Sequence, residues 1–410
     1  MGIVMATNDA VFHRPDYAAE LSRQLIHPGV LEEGVRSGVF LSGIRRVGKT
    51  TFVRQDLIPA LEAQGAVVIY VDLWTDVSKS PATLVYDAVK TTMAKFQNPA
   101  PGFLKRFKGA NVGAAGFSFG FQLDSVGAPG GTPLAQAIEE LVTAVDADVV
   151  LIVDEVQSAL QSEDGRGLLH ALKAARDAVN TKAGTRRHFL FLGTGSHKSL
   201  VTDLATRRSL PFTGAVQATY QVLGEEFVQW QLQRVGATSG AKVPSLAAAS
   251  AGFKAMGSRP EELLKALRQL QGVVGTPADQ AFGIICQTLA SAAADVELRA
   301  IEDFGALGQA IFGRIAEGDA DGVSGIFSEP ALADYSRQTA TDVEAGQVQG
   351  VADKMVAANL IARPAHGRYA VVDPFVREVW RSRSALLPGA PGSDSRGAVE
   401  SGGEPNSSPP

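Results

Sequence analysis

The stretch Gly43-Ile44-Arg45-Arg46-Val47-Gly48-Lys49-Thr50 constrains the fold more than any other part of this chain. It reads G-x-x-x-x-G-K-[ST], a spacing in which glycines let successive backbone N–H groups turn inward around an anion. A helix beginning at about Gly48 would point the positive end of its dipole at the same place. Such a loop works between a buried strand and a helix. Ser37 to Ser42 reads as a short buried strand and Thr51 to Leu57 as a helix, so the required order is present. Lys49 would then reach the β- and γ-phosphates of a nucleotide, and the Thr50 hydroxyl would ligate Mg²⁺.

Further apolar runs extend the pattern. Ala66 to Trp74 is an unbroken run containing Asp72, as expected of a strand covered on both faces in a parallel sheet. Val149 to Glu155 is a second run, and it ends in two carboxylates. Asp154 at such a strand end can complete a Mg²⁺ shell, and Glu155 can orient or deprotonate an attacking water. His188 to Leu192 is a third run, ending in Gly193-Thr194-Gly195-Ser196. In a parallel sheet those two hydroxyls would fall beside the carboxylates. Arg207 and Arg208 follow, then a further strand at Ala218 to Val222. Between the first two runs, Phe117 to Leu123 alternates large apolar with small or polar residues, which predicts an inserted strand or hairpin near 110–124.

The flanks are helical. Tyr17, Leu21 and Leu25 recur at helical spacing in an N-terminal segment, 1–36, stopped by Pro28-Gly29. After a domain at 37–223, strand patterns cease, and helices at Ala247 to Met256, Pro260 to Leu270 and about 277–300 suggest a helical lid over 224–300. Residues 301–385 read as helices followed by a hairpin. Thr341 would cap a helix with Val348, Val351, Met355 and Ala358 on one face. Leu360 to Arg363 and Arg368 to Val372 would flank a turn at Pro364-Ala365-His366-Gly367, and a last helix would begin at Pro374. This is the winged-helix order. The tail at 386–410 is rich in Gly, Pro and Ser, a composition expected to be disordered.

Composition excludes several classes. Hydrophobic residues are 45% and charged residues 20% of 410, ordinary for a globular chain. No run approaches the ~18 consecutive apolar residues of a membrane span, and the first residues lack a signal pattern, so a cytoplasmic protein with no membrane partner is expected. The one cysteine, Cys286, excludes an internal disulfide framework and reads as a small buried hydrophobe, while six scattered histidines give no zinc-type spacing. A net charge of −5 argues against a globally basic nucleic-acid binder.

With the loop Gly-Ile-Arg-Arg-Val-Gly-Lys-Thr-Thr, the strand Leu-Ile-Val-Asp-Glu-Val-Gln, the Gly-Thr-Gly-Ser strand end and a helical then winged-helix tail, the chain resembles the AAA+ ATPase superfamily. Within it, the chain looks closest to the archaeal-type, STAND-related ATPases. The resemblance implies an α/β fold, with a phosphate-loop parallel sheet flanked by helices, then a helical lid and a winged-helix-like domain. It implies ATP and Mg²⁺ as cofactors. Gly43, Arg46, Val47, Gly48, Lys49, Thr50 and Thr51 would surround the nucleotide, with Thr50 and Asp154 at the metal and Glu155 and Lys49 catalytic. The side chains of Arg45 and Arg46 stand at variable loop positions and are expected to face solvent or another subunit. Thr194 or Ser196 would take the sensor place, Arg207 or Arg208 would act on the γ-phosphate, and Arg259 with Pro260 would open the lid and touch the nucleotide.

Three functions compete. The first is an ATP-hydrolysing molecular switch that signals to a protein partner, with homo-oligomerisation open. The second is a DNA-associated ATPase, less favoured because Thr341 to Ala385 carries six Lys or Arg against five Asp or Glu. The third is a phosphate-loop kinase for a small molecule, disfavoured by the Asp-Glu pair.

Overall fold

The computed structural model describes residues 11–99, 117–319, 321–365 and 367–384. It divides into two compact units, Met1–Ala290 and Ser291–Pro410.

The first unit opens with helix α1 (Pro15–Ile26) and a 3-10 turn (Val30–Ser37) before strand β1 (Val39–Ser42). The glycine-rich loop leads into α2 (Lys49–Phe52), which runs through a π turn (Val53–Leu57) into α3 (Ile58–Ala63). Then come β2 (Val67–Asp72), α4 (Pro81–Gln97), α5 (Leu134–Val145), β3 (Val149–Asp154), a 3-10 turn (Val156–Gln161) and α6 (Glu163–Asn180). Strand β4 (Phe189–Gly195), α7 (Lys198–Thr206) and β5 (Val216–Thr219) complete the sheet.

The five strands are parallel in the order β2-β3-β4-β1-β5. Strand alternation sends side chains to two separate cores. Val149, Leu151, Val153, Phe189, Phe191 and Phe40 pack with α4 to α7 on one face. Val150, Ile152, Leu190, Leu192, Val39 and Leu41 pack with α1 to α3 on the other. Both faces of the central strands are therefore dry, which is why they are written as continuous apolar runs. Strand β4 lies between the loop strand β1 and the carboxylate strand β3, with Val153 beside Gly193 and Leu41 beside Thr194. All three strands end on one edge of the sheet, and that edge carries the site.

Some local expectations are corrected. Phe117 to Leu123 forms no strand. Phe119 is buried and Phe117 and Phe121 are partly so, packed on the α4–α6 core, while Leu123–Ser125 is a 3-10 turn. Three phenylalanines at period two anchor an irregular segment as well as they pattern a strand. The rest of that expected insertion, 110–116, lies outside the described residues, as does the tail at 386–410.

The first unit continues with α8 (Glu225–Gly236), α9 (Leu246–Ala255), α10 (Pro260–Leu270) and the start of α11 (Ala278–Glu302). Phe227, Trp230, Phe253, Leu263, Leu267, Phe282 and Cys286 build their core. Gly252 allows close approach there, since a Cβ on it would lie 2.6 Å from Cys286 Sγ. No run of about 18 consecutive apolar residues occurs, but one helix is apolar enough on average to cross a membrane. By length and composition α11 meets that description, although Ala281, Phe282 and Cys286 are spent on a protein core, so this one helix is weak grounds for a span.

In the second unit, α12 (Gly305–Glu317) precedes β6 (Val323–Ser324), α13 (Glu329–Thr339), α14 (Ala345–Ala357), the hairpin β7 (Ile361–Ala365) and β8 (Arg368–Val371), and α15 (Pro374–Ser384). The strands form one sheet in the order β6-β8-β7. Glu344 rather than Thr341 caps α14, in a reciprocal box with Gln347. The buried stripe of α14 is Val348, Ala352 and Met355, and Ala358 is exposed.

Candidate active site

Gly48 stands at the N-cap of α2 with φ 91°, a left-handed conformation that favours glycine. A Cβ on Gly43 would lie 3.0 Å from Tyr220 Cβ, so the loop passes close beneath that ring. Arg46, with φ 65°, turns the loop between the two glycines. The result is a bend with the first turn of a helix at its end, where unpaired N–H groups and the helix dipole favour an anion. Lys49 is buried in this bend.

Asp154, 1% exposed, is the centre of the polar edge. Its Oδ2 accepts from Thr50 Oγ1 at 2.7 Å and from Tyr70 Oη at 3.2 Å. Its Oδ1 accepts from Thr194 Oγ1 and from the Glu155 N–H at 3.1 Å. Burial, then the charges of Asp154 and Asp72, push the Tyr70 hydroxyl well above its ordinary range, so it keeps the proton it donates to Asp154. Burial likewise raises the Asp72 carboxyl.

Glu155 takes the left-handed conformation, φ 54° and ψ 42°, where the chain leaves β3. Its Oε2 accepts from Ser196 Oγ at 2.8 Å, from the Ser196 N–H at 3.2 Å and from Gln157 Nε2. The two hydroxyls that the sequence could not tell apart are thus divided, Thr194 serving Asp154 and Ser196 serving Glu155. Arg45 Nε donates to Ser196 Oγ at 3.3 Å, and its guanidinium lies 5.0 Å from the Trp74 ring centroid. Arg45 and Arg46 are both exposed, as expected of these loop positions, and Arg45 in addition reaches Ser196 and Trp74 at the site.

Beside the loop opens a cavity of about 680 Å³. Its lining includes Arg45, Arg46, Gly48, Lys49, Thr50 and Thr51 of the loop and its helix, together with Glu155. The lining also includes the aromatic and apolar Phe12, Tyr220, Leu223, Phe227, Trp230 and Pro260, among polar residues such as Gln231 and Arg234. Phe12 meets Phe227 and Trp230 edge-on at 5.6 Å and 5.5 Å between centroids. Two residues on, the Arg14 guanidinium sits 4.6 Å from the Tyr17 ring and donates to the Gln221 carbonyl at 2.5 Å. Asp56, in the π turn, receives the Arg14 N–H at 3.2 Å, and His13 Nδ1 lies 2.6 Å from its carboxylate. Val11 to Arg14 thus form a strap fixed at one end to the loop helix and at the other to α8. Sequence reasoning placed an N-terminal helix there but missed the strap, because these four residues have no periodicity.

Arg259 is buried at the N-cap of α10, next to Pro260 in the cavity wall. Arg207 and Arg208 are exposed at the end of α7 and are not among the residues that line the cavity. Among the described residues no group of three or more His, Cys, Asp or Glu is placed to hold a metal.

No protein-family profile matches the chain, and no curated protein does. Solved structures do. The Aeropyrum pernix ORC2 protein in its ADPNP-ADP complexes aligns over 92% of this chain and 98% of its own, at 14% identity and a TM-score of 0.52. The ADP form of the same protein aligns over 92% and 97%, at 13% identity and a TM-score of 0.53. The chain shares the AAA+ fold of these proteins, an α/β fold with a five-stranded parallel sheet. These neighbours are ORC proteins rather than STAND ATPases, so the finer subgroup expected from the sequence is not the one they represent.

Proposed function

We propose that the chain binds ATP with Mg²⁺ and hydrolyses it slowly, as a switch whose nucleotide state is passed to a partner. The observation that carries this reading is the convergence on one sheet edge of the Gly43–Thr50 bend, Asp154 bonded to Thr50, and Glu155 beside them. The bend and the buried Lys49 suit the phosphates, and the aromatic side chains in the cavity wall suit a base. Thr50 and Asp154 supply the hard oxygens that Mg²⁺ prefers, and their being few fits an ion held largely by phosphate and water. Bound there, Mg²⁺ would neutralise charge on the β- and γ-phosphates. Glu155 would orient the attacking water, Tyr70 and Thr194 would fix Asp154, and Lys49 would stabilise the transferring group. Arg259 and Pro260 are candidates for coupling α8 to α10 to the nucleotide. Arg207 and Arg208, exposed in this chain, are candidates to act on the nucleotide of a second copy.

The order α12, β6, α13, α14, β7, β8 is read as a winged helix, and a protein is its favoured partner. Of the six basic residues counted from Thr341 to Ala385, five are engaged within the unit. Arg363 bonds Asp353 and Tyr369, Arg368 bonds the Gly322 carbonyl, Arg383 faces Glu302 at 3.7 Å, and Arg377 and Arg381 cap the last carbonyls of α12. Duplex DNA needs several cations free to meet phosphates. A DNA-associated ATPase is the second reading, favoured by the winged-helix order itself.

Titration calorimetry with Mg-ATP should give micromolar binding for the wild type and none for Lys49→Ala. Equal binding by both would defeat the nucleotide reading. Tight, salt-dependent binding of duplex DNA at physiological ionic strength would promote the second reading.

A further inference from the structure

Arg45 and Trp74 are both exposed, Trp74 by 45%, yet both line the cavity together with Lys49 and Glu155. Core packing does not account for a ring left this open, but the ring is fixed at two points. The Trp74 Nε1–H donates to Ser158 Oγ at 2.9 Å, and the Trp74 backbone N–H donates to Asp72 Oδ1 at 2.9 Å. Asp72 ends β2 and Ser158 lies in the 3-10 turn after Glu155, so the indole is tied to the same sheet edge as the site. The Arg45 guanidinium lies 5.0 Å from the centroid of that ring, and its Nε donates to Ser196 Oγ at 3.3 Å. Among the described residues neither contact is a carboxylate, and the two terminal nitrogens are left to meet another acceptor. Ser196 Oγ in turn donates to Glu155 Oε2 at 2.8 Å, which sets the guanidinium one hydroxyl away from the carboxylate that would orient the attacking water. That water approaches the γ-phosphate, so Arg45 stands at the γ end of a bound triphosphate.

We propose that Arg45 sets a preference for a nucleoside triphosphate over a diphosphate, its terminal nitrogens meeting oxygens of the γ-phosphate, and that Trp74 is the positioning residue that holds the guanidinium there. The inference rests on the ATPase reading above and adds the residue by which the cavity tells three phosphates from two. The planar fork of an arginine matches two phosphate oxygens at once, and such a bond to a charged group is among the stronger ones. A flexible arginine loses side-chain freedom when it binds, and a ring that already restrains it reduces that loss. Because Arg45 belongs to the same loop as Lys49, this contact needs no second copy of the chain.

The test uses the full chain and compares wild type, Arg45→Ala, Trp74→Leu and Trp74→Phe. The equilibrium Kd is measured for a non-hydrolysable ATP analogue and for ADP, both with Mg²⁺. Wild type should bind the analogue about tenfold tighter than ADP, the size of one hydrogen bond to a charged group. Arg45→Ala should lose that preference by weakening the analogue alone, with the Kd for ADP within about twofold of wild type, and the retained ADP binding shows that the variant is folded. Trp74→Leu should lose part of the preference, and Trp74→Phe, which keeps an aromatic face, should retain it. A merely structural role for Arg45 would weaken both ligands alike and leave the preference intact, which would overturn the inference, as would a wild type that binds both ligands equally. Equal losses in Trp74→Leu and Trp74→Phe would overturn the positioning role of the ring. If wild type binds neither ligand, the ATPase reading itself fails and the inference fails with it.

Discussion

Thr194→Val removes one hydroxyl from the most connected group in the site while keeping the β-branched shape. Thr194 is fully buried and donates to Asp154, which is 1% exposed, so the lost bond cannot be replaced by bulk water. A hydrogen bond to a charged group contributes about 1.5–3 kcal/mol, and the new methyl returns roughly 0.8 kcal/mol of burial. The net loss is about 1–2 kcal/mol. At roughly 2–4 °C per kcal/mol for a domain of this size, the unfolding temperature should fall by about 2–8 °C in thermal unfolding of the metal-free chain. Because Thr194 holds Asp154 rather than Glu155, the variant should also need more Mg²⁺ to reach the same nucleotide affinity. Ser196→Ala should not, since its bonds go to Glu155. An unfolding temperature within about 1 °C of wild type, or the same shift in Mg²⁺ dependence for both variants, would refute the division of labour between the two hydroxyls.

Two further predictions concern the helices after the sheet. Gly252→Ala would set a methyl 2.6 Å from Cys286 Sγ and 2.8 Å from the Phe282 ring, and overpacking of this kind should cost about 1–3 kcal/mol in denaturant unfolding. Cys286 is buried and its thiol is pushed up to about 11 by that burial, so iodoacetamide at pH 8 should leave the native protein unmodified and alkylate it once unfolded.

What the sequence made legible follows from how strictly each feature is encoded. Apolar runs closed by Asp154 or by Gly193 to Ser196 are strands buried on both faces, and they were readable because runs this short, rich in Val, Ile and Phe, suit a buried strand better than a helix. The loop was readable because its glycines and Lys49 have fixed spacing. Phe117 to Leu123 misled because alternation records only which side chains are buried, and an irregular segment anchored by three rings buries them equally well. Gln157, Tyr70, Arg45 and the strap at Val11 to Arg14 were missed for another reason. Their roles depend on contacts between residues at least 42 positions apart or on a backbone turn at Glu155, and no local pattern announces either.

The central claim is that the edge formed by Lys49, Asp154 and Glu155 hydrolyses Mg-ATP. Its most direct test is phosphate release from Mg-ATP by wild type, Lys49→Ala and Glu155→Gln, with nucleotide binding measured on the same samples. The account predicts slow release by wild type, loss of both binding and release in Lys49→Ala, and retained binding without release in Glu155→Gln. Release by Glu155→Gln at the wild-type rate would contradict it.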